Sequence, residues 1–344
     1  MEQQEQSEMR VTSITPMKNE GPYILEWVAH NRAIGINDML VFTNHCTDGT
    51  DLILERLDEM GLVRHMPNPS IMMPAPRHHI ALTRYVNEMT RLRRSDWVTN
   101  LDADEFVRVN TGKGRLEDLF NAVPDAHCIT LSLHTFGCGW VDEIAPDDKM
   151  VTETFTYRGD SERSRNPVKY IARGDFPWVK FSNNSPAIEE ADLDRVNWVN
   201  GSGTRLSREQ IAEPFKGMLA SESGFDLVDV AHYTIRSYQG FLVQRDRGSA
   251  NPMKGRPEDE LDLEQALKYW RRFNKNDVKD ESFAALPGLR DAVEELLKDA
   301  ELRSLHEAAL AWHRNRAQEL LQKPDYRELH DTIRGLPEDT RALA

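Results

Sequence analysis

The sequence predicts an α/β protein, a doubly wound mixed sheet flanked by helices with a helical C-terminal extension. Two observations carry this. Short apolar runs alternate with segments of helical spacing through the first hundred residues, the rhythm of a sheet covered on both faces. Polar clusters then fall at three strand ends, the edge where such sheets bind ligands. From about residue 257 the chain turns charged and rich in Ala, Leu, Glu and Arg. That is the composition of exposed helices.

The first strand is expected over Arg10–Thr15, stopped by Pro16 and followed by Lys18-Asn19-Glu20-Gly21-Pro22. Pro22 suits a first helical turn, and Tyr23 to Ile34 carries apolar residues at helical spacing until Gly35 ends the helix. Asp38–Thr43 reads as a strand buried on both faces. A turn over residues 44–50 precedes a helix from Asp51 to Met60. Leu62–Met66 reads as a short strand, Pro67–Pro76 as a loop, and His78–Leu92 as a third helix. Asp96–Leu101 is the fourth strand and ends in Asp102-Ala103-Asp104-Glu105. Further strands are expected over Ala126–Leu133, Val151–Tyr157, Val168–Ala172 and Leu227–Tyr233, and helices over Glu260–Phe273 and Leu289–Leu321. Three units result: a disordered extension over 1–9, a sheet domain over 10–250 and a helical region over 251–344.

A formal net charge of -14 disfavours nucleic acid, whose phosphates need a basic face. No apolar run approaches the ~18–20 residues that cross a bilayer. The acidic N-terminus is unlike a secretory signal. Three cysteines suit a reducing compartment, and the spacing of His127, Cys128, His134 and Cys138 fits no zinc module. A cytoplasmic location is expected, with peripheral contact at the inner face of a membrane left open. Leu296, Leu297, Leu302, Leu305, Leu310 and Trp312 form a C-terminal apolar stripe, of the kind that most often packs into a core.

Residues two apart on a strand share a face, so Asp102 and Asp104 are expected to project together from the fourth strand. Two hard oxygen donors suit Mg2+ or Mn2+, with phosphates and water completing the shell. His232 follows Val228 and Val230 by the same alternation and is a further candidate ligand, one that tilts the preference toward Mn2+. Glu105 falls on the opposite face and is expected to play a supporting part.

The motifs resemble those of glycosyltransferase family 2-like proteins over residues 10 to 250. They are Lys18-Asn19-Glu20, Leu25-Glu26-Trp27, Asn44-His45-Cys46-Thr47-Asp48-Gly49-Thr50, Trp97 through Asp102-Ala103-Asp104-Glu105-Phe106, and His232-Tyr233-Thr234-Ile235-Arg236-Ser237. The resemblance implies a GT-A fold and a metal-dependent, inverting transfer of sugar from a nucleotide-diphosphate sugar, a UDP-sugar favoured, to a saccharide or glycolipid hydroxyl. Bacterial surface polysaccharide or glycolipid synthesis is the setting by analogy. It assigns Asp102, Asp104 and His232 to Mn2+ or Mg2+, and Lys18, Asn19, Glu20, Asn44, Asp48, Asp102 and Lys169 to the donor. The family's late basic position falls to Arg245 or Arg247.

Inversion requires a carboxylate to take the acceptor proton. Asp142, Glu143, Glu222 and Asp226 are the candidates, and spacing does not rank them. A sugar nucleotidyltransferase shares the architecture, but its first loop is glycine-rich and basic. A phosphatase with an aspartate nucleophile carries D-x-D on its first strand. A non-catalytic sugar-nucleotide-binding homologue is the third alternative.

Overall fold

The structure is a computed structural model that describes residues 9–72, 81–146, 149–160, 168–212, 222–248 and 261–336. Its first half holds β1 (Val11–Met17), α1 (Ile24–Ile34), β2 (Asp38–Thr43), α2 (Thr50–Glu59) and β3 (Arg64–Pro67). Then come α3 (Ala81–Glu88), α4 (Thr90–Arg93), β4 (Trp97–Asn100), β5 (Glu105–Val109), α5 (Leu116–Ala122) and β6 (Cys128–Thr135). The middle contributes α6 (Val151–Thr154), β7 (Tyr157–Arg158), β8 (Val168–Arg173), β9 (Lys180–Phe181), β10 (Pro186–Ala187), β11 (Trp198–Val199), α7 (Arg208–Ala212) and β12 (Val228–His232). Last are α8 (Tyr238–Arg247), α9 (Leu263–Phe273), β13 (Val278–Lys279), α10 (Leu289–Leu296), α11 (Ala300–Leu320) and α12 (Pro324–Arg334).

The main sheet has the order β3-β2-β1-β4-β8-β6-β12-β5. β1, β2, β3, β4, β6 and β12 run one way, and β8 and β5 run against them. Five Cα steps from Asn100 to Glu105 reach at most about 17 Å. A flat sheet would put four strand spacings, about 19 Å, between β4 and β5. The sheet therefore curls, and the acidic turn bridges the gap. One apolar layer packs α1, α2, α5 and α11 on one face. A second packs α3, α4, β11 and α7 on the other, and a third joins α8, α9, α11 and α12. This is the doubly wound mixed sheet flanked by helices that was expected.

Several elements differ from expectation for identifiable reasons. β1 continues through Pro16 to Met17. The Ile14 carbonyl faces β4, and so does Pro16 two residues on, past the end of that pairing, so its missing N–H costs no ladder bond. The third helix is broken at Met89, which is extended, and Arg91 on the next turn forks onto Asp38 at 2.6 Å. Val151–Tyr157 is not one strand but α6 followed by β7. The buried Glu26 carboxylate accepts the N–H groups of Val151 and Thr152 at 2.6 and 3.0 Å, satisfying the orphan donors of a helix start. The C-terminal stretch breaks at Asp299, whose side chain caps α11 through Leu302 N–H.

The apolar stripe of that stretch faces inward. Leu302 is fully buried in the main core, with Leu296, Leu297 and Leu305 against it, and Trp312 joins the third layer. No helix among the described residues is long and apolar enough to cross a membrane. Most of the extension over 1–9, the helix start at His78 and the boundary near 250 lie outside the described residues.

Candidate active site

The carboxyl ends of β1, β2, β4, β6 and β12 share one edge, and the beginnings of β5 and β8 meet them there. On that edge Asp102 and Asp104 do not sit on a strand. β4 ends at Asn100, and the two acids occupy the turn into β5, so strand alternation does not set their geometry. The turn is held by Glu105, which accepts the Asp102 N–H at 2.9 Å, and by the Asp104 carbonyl, which accepts the Tyr233 N–H at 2.8 Å. Glu105 pairs across β5 and β12 with His232. That pairing brings the late histidine to the early acids.

His232 Nε2 lies 3.6 Å from Asp104 Oδ2. Lys169 is buried on β8 and places its ammonium 2.8 Å from Asp102 Oδ2 and 3.2 Å from Glu105 Oε2. Its charge is engaged by both carboxylates. Burial pushes the Glu105 carboxyl up to about 7, with Lys169 opposing. Burial also opposes ionisation of Asp104, but His232, Arg236 and Arg247 outweigh it and hold that carboxyl below its usual range. For His232 burial works against the charged ring, and Asp104, Glu105 and Asp102 outweigh it, so its pKa is raised.

Among the described residues no group of three or more His, Cys, Asp or Glu side chains is arranged to hold a metal. The three-ligand set of Asp102, Asp104 and His232 is thus not preformed, because Asp102 is turned to Lys169. The donors present still fit a divalent cation. Two ligands about 2.1 Å from one ion and at right angles sit about 3 Å apart, close to the separation of Asp104 and His232. Phosphate oxygens and water fill the rest of such a shell.

Lys18, Asn19 and Glu20 lie past β1. Asn19 takes a left-handed φ of 50°, which asparagine tolerates, and pairs twice with Thr47 at 2.9 and 2.8 Å. Lys18 is 6% exposed. Glu20 is clamped between Arg236 at 2.8 Å and Arg247 at 2.6 Å. Asn44 is buried, and its Oδ1 has no partner among the described residues. Asp48 does not face solvent at all. Its carboxylate accepts from Gly21 N–H at 3.0 Å and Thr50 N–H at 2.9 Å and meets His313 of α11 at 2.7 Å. A small cleft, partly open to solvent, runs between Glu20, Tyr23, Thr234, Arg236, Arg247 and His313.

The four candidate bases separate by edge. Glu222 and Asp226 precede β12 and lie at the opposite end of the sheet, with Asp226 bonded to Ser202 at 2.5 Å. The five-residue strand β12 separates Asp226 from the end that carries His232. Asp142 and Glu143 lie in the loop after β6, whose carboxyl end is on the ligand edge. Asp142 is held by His330 and Arg334 of α12 at 3.2 Å each, and Glu143 is exposed. Of the two late basic residues, Arg247 reaches the cleft, while Arg245 stacks on Tyr269 at 4.1 Å. Sequence reasoning missed Arg236 and His313 as cleft residues. The Arg-Ser pair inside the late motif was a signal for the first, and nothing local marked the second.

A family model described as glycosyltransferase family 92 matches residues 10–186. A glycosyltransferase family 92 protein of Ricinus communis is 26% identical over 129 residues, covering 36% of this chain and 22% of that protein. The chain thus spans about a fifth of the length of that curated relative. Among solved structures, S. aureus TarS 1–349 is similar with a TM-score of 0.32 and 12% identity, covering 96% of this chain and 93% of that one. Its complex with UDP is similar with a TM-score of 0.29 and 13% identity, over the same shares. Glucosyl-3-phosphoglycerate synthase from Mycobacterium tuberculosis, in complex with phosphoglyceric acid, has a TM-score of 0.28 and 15% identity over 59% of this chain and 78% of that one.

Proposed function

The chain belongs to glycosyltransferase family 92, and from that premise we propose that it is a metal-dependent, inverting hexosyltransferase drawing on a nucleotide-diphosphate sugar. A UDP-sugar is the favoured donor, and a saccharide or glycolipid hydroxyl is the acceptor. The observation that carries this reading is the approach of Asp104 to His232 at 3.6 Å, beside Asp102, on the ligand edge of the sheet. The resemblance of the motifs to family 2-like proteins supports the same donor. Bacterial surface polysaccharide or glycolipid synthesis, on the cytoplasmic face of a membrane, is the setting we assign.

In this reading Asp104 and His232, with Asp102, hold Mn2+ or Mg2+, and the bound ion supplies positive charge against the departing diphosphate. The chain does the remaining work. Lys169 and Glu105 fix the acidic turn. The Asn19–Thr47 pair and the Asp48 network shape the donor wall. Glu143, exposed in the loop after β6, takes the acceptor proton.

Incubating the protein with Mn2+ and a panel of UDP- and GDP-sugars tests the reading through release of the nucleotide. Release by the wild type, and its loss by about 100-fold or more in Asp104→Ala, is expected. Absence of release with every donor, together with equal donor binding by Asp104→Ala and wild type, would leave a binding protein and not an enzyme.

A further inference from the structure

Arg236 lies four residues past the end of β12, and its side chain is 10% exposed. Its guanidinium carbon sits 3.7 Å from the centre of the Tyr23 ring, so one face of the fork is covered. Nη1 donates to Glu20 at 2.8 Å. Nε and Nη2 are buried and have no hydrogen-bond partner among the described residues. An unpaired buried donor costs about 1–3 kcal/mol, and more on a charged group. Such an arrangement calls for an acceptor.

The unpaired atoms are informative. Nε and Nη2 form the side of the guanidinium whose parallel N–H bonds take two oxygens of one carboxylate or phosphate. Glu20 uses the other end and leaves this side open. Glu20 also binds Arg247 at 2.6 Å, so one carboxylate serves two guanidinium groups and the cluster keeps a surplus positive charge. Lys18, 6% exposed, adds an ammonium with no ion pair among the described residues. Arg236 lines the cleft described above, and Thr234 connects it to the acidic turn, its hydroxyl 3.5 Å from Asp104 Oδ2.

We propose that Arg236, through its Nε–Nη2 side and with Arg247 as second cation, is the anion clamp that holds the diphosphate of the donor and of the released nucleotide. That the anion is a sugar-nucleotide diphosphate rests on the glycosyltransferase reading, whereas the clamp for a diphosphate rests on the geometry alone. Nε and Nη2 are buried, so binding involves movement of the side chains around them.

Calorimetric titration of the full chain with inorganic pyrophosphate, UDP and uridine, in the presence of a metal chelator, separates the two claims. Wild type is expected to bind pyrophosphate and UDP. Arg236→Gln should weaken both by about tenfold or more and leave uridine unchanged. Arg236→Lys keeps the charge and loses the fork, and should fall in between. It also decides the matter if the glutamine variant does not fold. No binding of pyrophosphate by the wild type at millimolar concentration, or equal binding by wild type and a folded variant, overturns the clamp. Pyrophosphate binding that depends on Arg236, without any binding of UDP, upholds the clamp and removes the nucleotide-sugar reading.

Discussion

Asp142 and Glu143 are neighbours with different surroundings. Asp142 is held by His330 and Arg334 of α12, while Glu143 is exposed in the same loop after β6. Glu143→Gln is therefore expected to lower kcat by about 100-fold or more with UDP affinity unchanged. Asp226→Asn, at the opposite end of the sheet, should turn over like wild type. Steady-state rates of both variants check the assignment, and the reverse order would refute it. His30 supplies a pH prediction. Burial pulls its pKa from 6.5 down to about 4, against a hydrogen bond to the Val107 carbonyl at 2.7 Å. A depressed histidine stabilises the fold above pH 6.5, and that contribution is lost as pH falls toward 4. The loss amounts to roughly 3 kcal/mol. Urea unfolding across this window should show a shallower acid slope in His30→Gln than in wild type. The approach of His232 to the acidic turn was legible in the sequence from the strand-end positions of both motifs. The geometry of the turn itself was not, since a turn replaced the expected strand and Lys169 claimed Asp102.

Among elements, α11 approaches the loop after β1 closely enough to forbid a side chain there. A Cβ on Gly21 would lie 2.6 Å from Ala309 Cβ and 3.1 Å from Asp48 Oδ2. Gly21→Ala should cost about 1–3 kcal/mol through overpacking. Adding Ala309→Gly should recover part of that loss, although glycine inside a helix costs about 1 kcal/mol by itself. A double-mutant cycle by thermal unfolding measures the coupling, and strictly additive losses would show that the contact is not what excludes the methyl group. Elements whose pattern is local were legible. β2 spans Asp38–Thr43 as its apolar run dictates, and α1 ends at Gly35, which takes a φ of 106°. α6 was not legible, because the carboxylate that starts it comes from Glu26 on α1. β5 was hidden behind the acidic motif, which read as the end of one strand, whereas Asp102 and Asp104 form a turn and Glu105 begins the next strand.

For the whole molecule, the chain order of the strands was legible only in its first four, where each unit packs beside the last. The curl that brings β5 back under β4 depends on β12, more than a hundred residues later, and no periodicity encodes it. The C-terminal helices are the largest case. A boundary near residue 250 follows from composition, and α11 beyond it packs back on the main core. Leu302 and Ala309 are fully buried in the same core as β1 and α1, His313 meets Asp48 at 2.7 Å, and Arg56 of α2 binds Asp299 at 2.7 Å. α11 thus contributes His313 to a wall of the cleft, and α10 and α11 pack on the main core while α9 and α12 pack with α8. A chain ended after Gly248 would expose that core and leave Asp48 buried beside a lost partner. It should bind a hydrophobic dye, lose the cooperative unfolding transition of the full chain and bind UDP at least about tenfold more weakly. A shortened chain that melts cooperatively at the original temperature would instead make residues 10–248 an independent domain. The His313–Asp48 contact would then be incidental to the site.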